Sequence, residues 1–164
     1  MMYSDFDIRE AIKQGDLVVD PYIEELVRPG GLGLRLGHLL LKPQAGTIID
    51  IKNKIAPNYD EILMTDETPY QLNPGEFILG HTFEKVTVGS NLGFFIEGRS
   101  TLARIGLTIV QTAMIVYPGH RNRTVTLELA NHGPNPILLY PLMKVARAAI
   151  FELKTPTTED YDTT

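Results

Sequence analysis

The chain has 164 residues, with 15 Lys and Arg against 20 Asp and Glu for a formal charge of −5, and it contains no cysteine. That length suits one domain able to bury a core without staples, and the missing thiols exclude disulfides and every thiolate metal site. The acidic balance argues against a general nucleic-acid surface, which needs clustered positive charge; the polar start, without a long apolar run, predicts neither a secretory signal nor a membrane span, and hence a cytoplasmic protein.

In chain order, the first predicted element is a helix from Asp5 to Gln14. Ser4 opens it with Asp7 three positions on, Gly15 closes it, and Ile8, Ala11 and Ile12 share one side. Strand-like runs follow at 34–41, 47–51, 77–81, 85–88, 93–97, 107–110, 114–116, 124–130, 136–140 and 146–153, separated by Pro and Gly punctuation. Such a series of short strands predicts an all-β barrel or jelly roll. Residues 52–67 read as loop, and 155–164 as a polar, frayed tail behind a single domain spanning 1–154. The four histidines, His38, His81, His120 and His132, lack ligand spacing and read as surface or loop residues.

The stretch Gly98-Arg99-Ser100-Thr101-Leu102-Ala103-Arg104-Ile105-Gly106-Leu107 sets two arginines and two hydroxyls around a tight turn and one helical turn. Glycine allows close backbone approach, Ser100 or Thr101 is placed to cap the helix start, and exposed N–H groups there favour an anion. Arg99 and Arg104, five positions apart, would flank a phosphate from different directions. A plain surface turn is the alternative reading. Further on, Val125-Thr126-Leu127-Glu128-Leu129 alternates so that Glu128 faces away from the apolar side, where a merely solvated carboxylate is the commoner outcome.

Taken in order, these blocks resemble the dCTP deaminase family, within the superfamily it shares with trimeric dUTPases, from Ser4 to about Phe151. Ser4-Asp5-Phe6-Asp7-Ile8, Val27-Arg28-Pro29 with Leu34-Arg35-Leu36-Gly37, Pro74 to Gly80 with Thr82-Phe83-Glu84, the arginine block, and Leu127-Glu128-Leu129 all fall where that family keeps its motifs. The resemblance implies a dUTPase-like distorted β-barrel or jelly roll with a short N-terminal helix and one helical turn after the arginine motif. It implies hydrolysis of dCTP to dUTP and ammonia, with Glu128 as proton shuttle to a water attacking C4 and Arg104 and Ser100 as donors to the intermediate. Arg99 would serve the triphosphate together with Mg²⁺, and Gln111, Thr112 and Ala113 would read the base through strand backbone. A homotrimer with sites between subunits is implied as well. Zinc is not, because neither H-x-E nor P-C-x-x-C occurs.

Departures from the family pattern bear on the chemistry. Tyr117 stands where relatives carry an aspartate near the sugar, and with a reference pKa of about 10 it cannot be a base near neutrality, which disfavours diphosphate release of the dUTPase type. His120-Arg121-Asn122-Arg123 reads as a hairpin loop one residue longer than usual, and Gly31-Leu32-Gly33 replaces Ser-x-Asp. Arg147 replaces a frequent glutamine and is open to two readings, a substitute phosphate ligand or, more plainly, an exposed strand arginine. No Tyr-, Lys- and Gln-bearing lid is visible after Tyr161, which keeps open a nucleotide-binding or regulatory protein with weak or lost chemistry.

Overall fold

The computed structural model describes residues 1–159. Helix α1 (Asp5–Gln14) stands as predicted: the Ser4 hydroxyl accepts from the Asp7 amide, the Asp7 carboxylate accepts from the Ser4 amide, and Gly15 closes the helix in the left-handed region. Its buried side chains, Ile8 and Ala11, enter the core. The strands are β1 (Leu17–Asp20), β2 (Val27–Arg28), β3 (Gly31–Arg35), β4 (Leu39–Pro43), β5 (Tyr59–Leu63), β6 (Tyr70–Leu72), β7 (Phe77–His81), β8 (Lys85–Val88) and β9 (Leu92–Gly98). After the short helix α2 (Ser100–Ala103) come β10 (Leu107–Thr108), β11 (Ile115–Val116), β12 (Thr126–Asn131), β13 (Ile137–Leu139) and β14 (Lys144–Glu152). None of the helices is long and apolar enough to cross a membrane among the described residues.

Two five-stranded antiparallel sheets form the body, ordered β11-β9-β14-β3-β2 and β10-β12-β7-β4-β5, with ribbons β1-β8 and β13-β6 beside them. Leu34, Phe94, Ile96 and Ile150 from the first sheet and Leu40, Ile78, Leu127 and Leu129 from the second belong to one hydrophobic cluster. The jelly-roll side of the prediction stands, but the barrel does not close. Strands β2, β5, β10 and β11 remain edges among the described residues. β10 and β11 are two residues each, so they offer too few ladder hydrogen bonds to zip one sheet to the other.

The predicted 34–41 strand is broken. A Cβ on Gly37 would lie 2.1 Å from the His81 ring, so the chain turns there and passes from β3 in one sheet to β4 in the other. At this corner Arg35 Nε donates to Glu84 Oε1 at 2.6 Å and its amide to Oε2 at 2.8 Å, while the fully buried Thr82 hydroxyl donates to the Glu84 carbonyl and accepts from the Val125 amide. Among the described residues no buried side-chain polar atom, at this corner or elsewhere, lacks a hydrogen-bond partner.

Residues 47–51 form no strand: Ile48, Ile49 and Ile51 are all exposed, and a lone bridge joins Asp50 to Ile55. Within the predicted loop 52–67, β5 pairs along β4. It escapes the sequence because its residues lie outward at an edge and carry no alternation. The predicted tail is described only to residue 159; Tyr161 and any lid beyond it lie outside the described residues.

Candidate active site

Gly98 ends β9, and Arg99 follows as the extended N-cap residue of α2. No side chain caps this turn, so the capping expected of Ser100 or Thr101 is corrected: both sit inside the helix. With four residues, α2 is too short for aligned peptide dipoles to sum, and attraction for an anion rests on the guanidinium groups. One of them is anchored. Arg99 Nη1 donates to the Lys144 carbonyl at 3.0 Å, which ties the motif to the start of β14.

Arg99 and Ser100 line a groove of about 770 Å³ walled by β9, α2 and residues 107–110, with Arg147 entering from β14. Residues 107–114 cross between the two sheets along this groove. The Glu128 amide donates to the Ile109 carbonyl at 2.9 Å and the Ile96 amide to the Met114 carbonyl at 2.7 Å, so the crossing is tethered at both ends. Between the tethers, the Gln111 amide donates to Glu128 Oε2 at 2.7 Å. Glu128 is half-buried between the buried Leu127 and Leu129, facing away from the core as its alternation predicts.

Thr112 and Ala113 are exposed and belong to no strand, which corrects the expected strand at the base-reading segment. The cause is the crossing itself, which leaves β12 before reaching β9. Backbone donors and acceptors outside a ladder are still available to a ligand edge. Tyr117 is exposed just past β11 and is not among the residues lining the groove.

Arg104 goes elsewhere. It ends α2 and lines a separate groove of about 570 Å³ with Ile105, His132 and Pro136. Gly106 sets this path: its φ is 91°, a Cβ on it would lie 2.2 Å from the Gly133 nitrogen, and a Cβ on Gly133 would lie 2.4 Å from the Ile105 oxygen. The His132 amide donates to the Gly106 carbonyl at 2.8 Å, and the buried Asn131 holds the opposite turn through the Gly133 amide and the Leu72 and Asn135 carbonyls. Within one chain, therefore, Arg99 and Ser100 share a groove beside the Gln111–Glu128 pair, while Arg104 lines another. The residue undervalued by sequence reasoning is Arg147, half-buried and common to two grooves.

The chain is thus an antiparallel two-sheet domain whose arginine-bearing turn lines a groove beside the segment that the Glu128 carboxylate tethers. A family profile described as dCTP deaminase-like matches residues 2–153, and the chain belongs to that family. It is 36% identical over 163 residues to a dCTP deaminase, dUMP-forming, of Corynebacterium diphtheriae, covering 98% of this chain and 87% of that protein. It is 35% identical over 167 residues to a dCTP deaminase of Haloarcula marismortui, covering 98% and 85%. The fold matches the crystal structure of a 2'-deoxycytidine 5'-triphosphate deaminase from Agrobacterium tumefaciens with a TM-score of 0.70 at 16% identity, across 91% of this chain and 47% of that one. The chain thus spans about half the length of that structure's polypeptide.

Proposed function

We propose that this protein hydrolytically deaminates dCTP to dUTP and ammonia, with Glu128 moving the protons. The observation that carries the reading is the Gln111 amide held 2.7 Å from the Glu128 carboxylate beside the Arg99 and Ser100 groove. It joins the acid to the segment assigned to the base. With Oε2 held by Gln111, Oε1 takes a proton from water as the oxygen bonds to C4 of cytosine. The same carboxyl passes that proton to N3, then takes the proton of the new C4 hydroxyl and delivers it to the amino nitrogen; the C4–N bond breaks as C4=O forms, and ammonia leaves. Ser100 and Arg104 are the donors assigned to the intermediate, and Arg99 binds phosphate oxygens.

A homotrimer belongs to this proposal, because Arg104 and Ser100 line different grooves of one chain and a neighbouring subunit is the simplest way to unite them over one ligand. Mg²⁺ belongs to it as a companion of the triphosphate. No group of three or more His, Asp or Glu side chains converges among the described residues, so phosphate oxygens and water would supply most of its ligands. Bound there, the ion would spread the charge of the phosphates. Gln111, Thr112 and Ala113 orient the base through their backbone.

Incubating the purified protein with dCTP and Mg²⁺ while following ammonia and diphosphate together tests the reading. Ammonia without diphosphate is expected, and Glu128→Gln should slow turnover by about 100-fold or more while keeping dCTP binding. Turnover of Glu128→Gln equal to the wild type removes Glu128 from the role. Diphosphate released with the ammonia supports a second reading, dUMP formation, which the name of the Corynebacterium diphtheriae relative favours and Tyr117 opposes. Tight dCTP binding dependent on Arg99 without either product marks a nucleotide-binding protein. Sedimentation gives the subunit number directly.

A further inference from the structure

A third groove, of about 430 Å³, adjoins the Arg99 and Ser100 groove through Arg99 and Arg147 and is lined in addition by Arg28 and Lys144. Four cations meet there against one carboxylate, Glu25, in a chain of net charge −5. Among the described residues no carboxylate oxygen lies within 4 Å of any of the four. Glu97 is the cross-strand neighbour of Arg147, yet it forms no ion pair with it. Unneutralised guanidinium groups gathered in a concavity create a local positive potential suited to a doubly or multiply charged oxyanion.

The groove is also shaped for a side chain that the sequence places there. Arg147 pairs with Gly33 on β3, and its stem crosses Gly31 so closely that a Cβ on Gly31 would lie 2.8 Å from Arg147 Cγ and Cδ. The glycine at position 31 and the arginine at 147 are therefore one feature: Gly31 clears a track, and the Arg147 stem fills it. Arg99 is pinned from the same side by the Lys144 carbonyl. Half-burial of the Arg147 stem also reduces the freedom its guanidinium would lose on binding.

We propose that Arg28, Lys144 and Arg147, together with Arg99, form a phosphate-binding site that this chain has built beside its nucleotide groove. The shared chemistry is a phosphate oxyanion, supplied either by the outer phosphates of a nucleotide seated at Arg99 or by a free polyphosphate. Binding at this site does not depend on deamination, so it is measured separately from ammonia release.

Calorimetric titration with inorganic pyrophosphate tests the site, using the wild type, Arg147→Gln and Arg28→Gln, with Lys52→Gln as a control of equal charge on an exposed loop. Each arginine variant should weaken pyrophosphate by about tenfold and the control by less than about twofold. Parallel titrations with dCTP and dCMP separate the sources. A loss for dCTP with dCMP unchanged assigns the site to the nucleotide's outer phosphates, and a loss for pyrophosphate alone assigns it to a free anion. Absent pyrophosphate binding, equal binding by both arginine variants and wild type, or an equal loss in Lys52→Gln, overturns the proposal. Gly31→Ala adds a check that removes no charge: displacement of the Arg147 stem should weaken pyrophosphate in the same direction, with circular dichroism confirming the fold.

Discussion

Arg35 and Arg99 each stand at the end of a strand in the same sheet, and they are used in opposite ways. Arg35 meets both oxygens of a fully buried carboxylate, through its side chain and its own amide, and its guanidinium lies 4.9 Å from the centre of the Phe83 ring. Arg99 is exposed and gives one N–H to a backbone carbonyl. A guanidinium has five donors, so the second arrangement leaves most of them for a ligand. Charge alone does not mark a functional arginine. Whether the chain itself has already supplied the counter-charge does.

Breaking the closed corner should have the largest effect on stability. Glu84→Ala leaves the mostly buried Arg35 charge without its partner and should cost about 3–5 kcal/mol, read as a lower urea midpoint or as insoluble protein. The same variant would weaken the comparison if it unfolded no more readily than the wild type.

A second closed cluster allows a test by pH. Glu76 accepts from Lys42 Nζ at 2.7 Å, from the Tyr70 hydroxyl and from the Asn73 amide. Burial raises the pKa of this carboxyl, but those three hydrogen bonds outweigh it and hold the group at about 2, against an ordinary 4.5. A lowered carboxylate contributes stability that is present above its ordinary pKa and lost as the pH falls toward the folded value. Wild-type stability should therefore fall between about pH 4.5 and 2, whereas Glu76→Gln should be less stable at pH 7 by about 1–3 kcal/mol and flatter across that window. Urea midpoints at several pH values measure both. The smallest effect is expected at the helix start, where Ser4→Ala should lower Tm by about 2–4 °C and leave pyrophosphate and dCTP titrations unchanged.

The contrast also explains what the sequence makes legible. Ser4, Asp7 and Gly15 specify α1 through hydrogen bonds a few residues apart, and alternation over short runs places β7, β8 and the outward face of Glu128, so these read directly from the chain. The break at Gly37 depends on a ring 44 positions away, and the path of Arg104 depends on Gly106 meeting Gly133. No local pattern carries either contact. Arg147 is the informative intermediate: its identity is visible, but its half-buried track exists only because β14 lies beside β3, where Gly31 leaves room for the stem. Strands β1, β2 and β6, at two to four residues, are too short for periodicity to announce them.

The backbone seam between Gly106 and Gly133 means that the turn bearing Ser100 and the strand bearing Glu128 share a mount. A shift at the exit of β12 would drag the arginine turn along with it, so the two segments cannot drift apart independently. Substitutions at the seam should behave as a single lesion: one that widens it disturbs both partners at once, and adding a second there should bring little further loss.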